Sequence, residues 1–409
     1  MDDAIAAPAP LPPALVLGST HSSTLEVIRI LGRRGIPQFA VGTGGSFIAR
    51  SRWHRPLPGH AREAPDPSTL PGLLARLAVE RMVLIPCTDA WVLAVARLDP
   101  ALAARFPASL APRESLELLL DKGRFAEAAQ RLGVPHPRTI CLASDDDLVT
   151  LPDSAFQDAF LKPRDPWMFR RRYGVKAFRF ETRAQAVALV REAHRAGLGL
   201  VLQEYIPGPP TCHYFVNGFM DRTGTVRGCS AMRRIRMFPP DFGDGCYGVG
   251  IRPEEVTPAV EVVKRVLAAL RYRGVFDAEF KYDGRDGLFK ILEINTRPYG
   301  FVGFDARSGV DLVTMAYRDA LSLPIEPVAT FEGGRHYFDP HSDLVGGWRL
   351  IREGKLAPWS WACSWFGAYQ PIFSGDDPLP AVAWFAHEGR RFAQRTLRSL
   401  ARLVSRALP

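Results

Sequence analysis

Short apolar runs separated by amphipathic stretches run along this 409-residue chain. Ala14–Gly18 (ALVLG) reads as a buried strand, Thr24–Arg34 as a helix stopped by Gly35–Pro37, and Gln38–Val41 as a second strand. Met82–Pro86 adds another strand, and CTDAW (Cys87–Trp91) opens the next helix. A β-loop-α-β opening of this kind is Rossmann-like, but it lacks G-x-G-x-x-G and so does not predict dinucleotide binding. Gly18, Ser19 and Thr20 fall at the carboxyl end of its first strand. After Pro112–Ser115, Leu116–Leu132 has the period of a single helix closed by Gly133 and Pro135. Phe160–Lys162 is a strand, 185–197 a helix and Leu198–Gln203 a buried strand running into Glu204, Tyr205 and Ile206. His213–Val226 reads as a meander, Met232–Gly245 as a basic loop, and Val256–Leu270 and Gly309–Leu321 as amphipathic helices. The fold class is α/β, divided into several lobes.

The most informative stretch is Gly274–Gly300, GVFDAEFKYDGRDGLFKILEINTRPYG. Two β-rich runs, Val275–Tyr282 and Leu288–Asn295, flank Asp-Gly-Arg-Asp-Gly, which is strong turn chemistry. Alternation puts Phe276, Ala278, Phe280 and Tyr282 on one face with Leu288, Leu292 and Ile294, plus Lys290. The other face carries Asp277, Glu279 and Lys281 with Glu293 and Asn295. Symmetric pairing about the turn makes Glu279 and Glu293 diagonal neighbours. Like charges so placed repel unless a cation sits between them, and Lys281 could do part of that as an ordinary surface ion pair. Two carboxylates and an amide are also hard oxygen ligands of the kind that hold Mg²⁺ or Mn²⁺ while leaving room for phosphate. Arg297 follows at once, a forked cation for a phosphate or carboxylate.

DAEFKYD…LEINTRPYG resembles the metal-binding hairpin of the ATP-grasp superfamily. Upstream, LLLDKGRFAEAAQRLGVPHPRT (Leu118–Thr139), AFLKPRD (Ala159–Asp165) and VLQEYIPG (Val201–Gly208) are similar to its opening lysine segment, second phosphate lysine and adenine hinge, in that order. Within the superfamily the chain resembles the carboxylate–amine ligase branch, the D-aspartate ligase-like proteins, over roughly Ala14–Leu323. The resemblance implies a Rossmann-like lobe at 14–111, a lid subdomain at 112–200 and a metal-binding and catalytic subdomain at 201–323; outside it, the proline-broken residues 1–13 read as a disordered leader and 324–409 as an accessory region. It implies ATP and Mg²⁺ as cofactors, with Lys122, Lys162 and Lys176 on the phosphates and Gln203, Glu204, Tyr205 and Ile206 along the nucleotide. Glu279, Glu293 and Asn295 become the metal ligands. Arg297, Lys176 and Arg236 become the catalytic cations, Arg236 being chosen from Arg233, Arg234 and Arg236. Where most members carry a glycine-rich lid, Arg164–Phe180 has a single glycine, Gly174, with Arg170, Arg171, Arg172 and Lys176 around it.

Composition narrows the picture. Hydrophobic content of 47% and charged content of 23% are those of a globular protein, and no apolar run is long enough to span a bilayer. The start, MDDAIAAPAPLPPA, is unlike a secretory signal, and six scattered cysteines show no metal spacing, so reduced thiols in a cytoplasmic enzyme are expected. No Ser-His-Asp or Cys-His arrangement is legible. The formal charge of +9 suits anionic partners, whether nucleic acid, an anionic substrate or a membrane surface. The resemblance implies a small carboxylate and an amine as the substrates, with no nucleic acid. Trp348, Trp359, Trp361, Trp365 and Phe366 are expected to pack the accessory region onto the core. From Gly389 onward, Arg391, Arg395, Arg398, Arg402 and Arg406 share one helical face, the pattern of a helix lying on an anionic membrane or docked on the protein itself. The function expected is ATP-dependent amide formation through an acyl phosphate. A small-molecule kinase and a non-catalytic ATP-binding module are the alternatives.

Overall fold

The computed structural model describes residues 11–59, 66–142, 144–239, 242–328 and 331–390. The basic helix expected at 389–408 therefore lies almost wholly outside the described residues, as does most of the leader. Residues 12 and 13 are held, through Tyr317 Oη donating to the Pro12 carbonyl and Val83 N to that of Pro13.

Strands β1 (Ala14–Leu17), β2 (Gln38–Val41) and β3 (Val83–Pro86) form a parallel sheet in the order β2-β1-β3. ALVL and VLIP are buried along their whole length, as parallel strands covered on both faces must be. Helix Ser22–Arg33 leaves the carboxyl end of β1, capped by His21, whose ring accepts from Ser23 N.

Strands β4 (Thr139–Leu142), β5 (Ala159–Pro163) and β6 (Leu200–Glu204) make an antiparallel sheet in the order β4-β6-β5. Helix Arg183–Arg195 backs it through Ala186, Val190 and Ala193, in a core with Leu161, Phe169 and Leu202. Because β6 belongs to this sheet, strand pairing divides the chain after Glu204 rather than after residue 200.

The third sheet contains β7 (His213–Met220), β8 (Val226–Phe238), β9 (Asp244–Ile251), β10 (Gly274–Asp283), β11 (Leu288–Asn295) and β12 (His336–Phe338). Its order is β11-β10-β7-β8-β9-β12, with every neighbouring pair antiparallel. The stretch expected as a basic loop at 232–245 is mostly strand, the end of β8 and the start of β9. Helix Thr257–Ala269 packs behind this sheet through Val260, Val263 and Leu267. The accessory region extends the same sheet by one strand.

That region is held at two buried ion pairs. Asp343 accepts both Arg236 nitrogens at 2.7 Å and the indole N–H groups of Trp361 and Trp365 at 3.0 and 2.7 Å. Arg29 pairs with Asp377 at 3.0 Å. Trp348, Trp359 and Phe366 do not pack as expected; they are 59%, 79% and 90% exposed.

Candidate active site

The turn between β10 and β11 is locked by Asp283, which accepts Arg285 N at 3.0 Å and Lys290 Nζ at 2.7 Å. Up to Phe280 the two strands pair symmetrically, Phe280 opposite Ile291. A β-bulge then intervenes, and Glu279 stands directly opposite Glu293 and Asp277 opposite Asn295. Leu292 is the extra residue: it lines the cleft, while Ile291 takes the place in the core expected for it. The bulge thus turns a diagonal pair of glutamates into a facing pair and displaces the apolar face expected for Leu288, Lys290 and Leu292. Across the sheet the same register aligns Met232, Phe215, Glu279 and Glu293 in one row and Ser230, Asn217, Asp277 and Asn295 in the next.

A cavity of about 530 Å³ lies against these rows, between the lid sheet, the large sheet and the amino-terminal lobe. Every site residue proposed from the sequence lines it except Arg236. Arg236 points instead to the buried Asp343, with its guanidinium 3.9 Å from the centre of the Tyr247 ring, and is a structural anchor. Arg234, two residues earlier on the same strand, is the arginine in the cleft.

Each glutamate has its own cations. Lys122 Nζ lies 2.5 Å and Lys162 Nζ 3.3 Å from the same Glu293 oxygen. Burial alone would raise the Glu293 pKa, but the two ammonium groups outweigh it and hold the carboxyl well below the usual range. Burial also pulls Lys162 below its ordinary value, against the opposing pull of Glu293. Glu279 accepts from Arg234 at 3.0 Å and faces His213 Nδ1 at 3.3 Å. Burial would raise it too, and Arg234 and His213 together bring it below the usual range.

Lys122 reaches Glu293 because the helix expected at 116–132 is two helices, Arg113–Leu120 and Lys122–Arg131. Asp121 breaks away from helical geometry between them and caps the second by accepting Gly123 N and Arg124 N at 2.9 and 3.0 Å. Lys122 is then the first residue of a helix aimed at the cleft. The lid stretch is also partly helical, Pro166–Tyr173, with Arg170 facing the cavity and Lys176 paired with Asp244.

Along the hinge, Gln203 Nε2 donates to Thr139 Oγ1 at 3.0 Å, and the Glu204 carboxylate is engaged by Arg138 N and Arg285. Tyr205 forms an aromatic wall with Phe160 and Phe242, with Lys281 Nζ 4.9 Å from its ring centre. Arg297 donates to Asp89 at 2.7 Å, tying the hairpin to the amino-terminal lobe.

Asn295 turns its Nδ2 to Asp277 at 3.0 Å, which leaves its carbonyl oxygen for another partner. Asp277 is 3% exposed, and burial pushes its carboxyl up to about 7. Among the described residues no three His, Cys, Asp or Glu side chains make a ready-made cation cage. Glu279, Glu293 and the Asn295 oxygen supply part of a hard-ligand shell that phosphate oxygens would complete, so the donor set fits Mg²⁺. Sequence reasoning placed Asp277 and Lys281 on the right face without assigning them. His21 and Asp89, brought in from a separate lobe, gave no local signal.

Comparison with solved structures places this architecture. Biotin carboxylase from Campylobacter jejuni superposes with a TM-score of 0.63 at 17% identity, over 80% of this chain and 74% of that one. L-amino acid ligase from Bacillus licheniformis gives 0.56 at 16% identity, over 78% of each chain. N5-carboxyaminoimidazole synthase from Aspergillus clavatus gives 0.58 at 14% identity, over 80% of this chain and 81% of that one. The fold is ATP-grasp. By sequence, the ATP-grasp chain is 26% identical over 271 residues to D-aspartate ligase of Enterococcus faecium (strain Aus0004). That match takes in 62% of this chain and spans 63% of the relative's length. No family model matches.

Proposed function

We propose that this ATP-grasp protein is an ATP-dependent carboxylate–amine ligase that forms an amide through an acyl phosphate and releases ADP and phosphate. The observation that carries the reading is the facing pair Glu279 and Glu293, opposed by Lys122 and Lys162 across one cleft. Such an arrangement suits the joint entry of a polyanion and a divalent cation. The ion pairs seen here keep both carboxylates charged until then.

Glu279, Glu293 and Asn295 would hold Mg²⁺, which supplies charge neutralisation and alignment of the terminal phosphates. Lys122, Lys162 and Lys176 move from carboxylates to phosphate oxygens, and the wall of Phe160, Tyr205 and Phe242 receives the flat base above Gln203–Ile206. A substrate carboxylate on Arg297 then attacks the γ-phosphorus in line, and its C–O–P bond forms as the bond to ADP breaks. An amine attacks the acyl carbon next. The ammonium form of the amine has already given one proton to solvent; as the C–N bond forms and the C–O bond to phosphate breaks, a second proton leaves with phosphate. Positioning and charge carry both steps, and no side-chain nucleophile is required. Arg234 replaces Arg236 as the cation for the transferred group. The relative's name and that of the Bacillus neighbour favour amino acids as substrates. Such a reaction belongs where ATP and reduced thiols are maintained, the cytoplasm, and the six cysteines are unpaired.

The test is ADP release across a panel of acids, D-aspartate first, each with and without amino-acid amines, and with hydroxylamine to trap an acyl phosphate. Release that needs both acid and acceptor, with hydroxamate appearing, is expected. Phosphate retained on the acid as a stable product would make the protein a kinase. Nucleotide binding with no turnover on any pair would make it a binding module.

A further inference from the structure

We propose that the accessory region docks this protein on an anionic lipid surface. Among the described residues, nine of the thirteen exposed large hydrophobic side chains fall between Leu344 and Phe385. Helix Pro340–Arg352 buries Asp343, Gly346 and Gly347 against the protein and turns Leu344, Val345 and Trp348 outward. Trp359 and Phe366 stand out from the following segment at 79% and 90% exposure. Helical residues 379–390 bury Pro380 and Ala381 and expose Val382 and Phe385. An ion pair of 3.4 Å between His341 and Glu388 brings these two helices together. One region therefore holds aromatic side chains of the type that settle at the boundary between headgroup and acyl chain.

Charge chooses the occupant. The chain leaves the described residues at 390, from the helix that carries Phe385, and the nineteen residues that follow contain five arginines and no acidic residue. Arg391, Arg395, Arg398, Arg402 and Arg406 recur at helical spacing, with Leu397, Leu400 and Val404 between them and Leu408 after the last. A hydrophobic protein partner would leave those cations without a counterpart, whereas an anionic bilayer meets both features at once. No described helix is long and apolar enough to cross a membrane, so contact is at the surface. None of Leu344, Val345, Trp348, Trp359, Phe366 and Phe385 lines the cleft, although Ser342 at the start of the first helix does.

The test is co-sedimentation of the full chain with phosphatidylcholine vesicles, with and without phosphatidylglycerol, at low and high salt. Binding to the anionic vesicles, weakened by salt and accompanied by a blue shift of tryptophan emission, is expected. The surface variant Trp348→Ala/Trp359→Ala/Phe366→Ala should bind about tenfold or more weakly, with unchanged nucleotide-induced thermal stabilisation. Three results overturn the proposal: no difference between anionic and neutral vesicles, binding untouched by the triple variant, or lipid-independent self-association that the variant abolishes. The last would make the surface an interface between copies of this chain.

Discussion

Glu293 carries two ammonium groups on one oxygen, so neutralising it does more than delete a ligand. In Glu293→Gln, Lys122 and Lys162 face each other without an anion between them, in a site where burial already opposes charge on Lys162. The three side chains are 12–21% exposed, so solvent softens the effect of the broken pairs to about 1–3 kcal/mol in the nucleotide-free protein. Urea unfolding should show that loss, while turnover falls by roughly a hundredfold or more. A variant as stable and as active as the parent would remove Glu293 from the site. Asp305 makes a separate prediction. It is fully buried against Tyr299 and Asn217, and burial pushes its carboxyl up to about 7. The unfolded value is near 3.9, so between about pH 4 and 7 the folded state binds more protons than the unfolded one. This residue's contribution is therefore full below pH 4 and is lost as pH rises through 7. Asp305→Asn should shrink the difference in unfolding free energy between pH 5 and pH 8, by at most about 3 kcal/mol. Asp277 titrates in the same sense, so part of the slope survives.

Between residues and the whole, the elements decide what the sequence could reveal. Alternation in β10 and β11 was enough to collect Glu279, Glu293 and Asn295 on one face, because that pattern is local. The bulge at Glu279 was hidden, since no residue there is a glycine or proline and its reason lies in packing Ile291 inward. Arg236 and Arg234 part for a similar cause: alternation puts both on one side of β8, and a register shift between them, together with the distant Asp343, separates their fates. The break at Asp121 could have been read from its cap chemistry, but an apolar period running through it masked the signal. Asp121 is also where a prediction belongs at this scale. Asp121→Ala removes the acceptor for Gly123 N and Arg124 N and the partner of Arg164. It should cost about 1 kcal/mol, and Asp121→Asn, which can still cap, should cost less. Because the cap aims Lys122, the alanine variant should also raise KM for ATP. Gly123 leaves little room for a compensating shift, since a Cβ there would sit 2.5 Å from Cys141 Sγ.

At the scale of the molecule, the question is what makes lobes far apart in sequence act as one body. Asp377, in the turn-rich run GDDPLPA (Gly375–Ala381), is the keystone between the accessory region and the amino-terminal lobe. Its carboxylate accepts Arg29 Nε at 3.0 Å, Ser51 Oγ at 2.7 Å and Arg52 N at 2.8 Å. Arg29, 1% exposed, spends its other nitrogens on Glu26 and the carbonyls of Pro371, Ile372 and Asp377. Removing one partner of such a buried pair strands the other, so Asp377→Ala should destabilise the chain by about 3–5 kcal/mol. Arg29→Met/Asp377→Leu, which removes both charges of the pair, should cost less than the single change, although Ser51 Oγ and Arg52 N lose their acceptor and the buried Glu26 loses its cation and keeps only Tyr369. Neither residue lines the cleft. ADP with Mg²⁺ should therefore raise the melting temperature of Asp377→Ala by as much as it raises that of the parent, from a lower starting point. If the nucleotide-dependent rise disappeared together with the baseline stability, the strap would be part of the binding machinery, and the separation of anchor from cleft would be wrong.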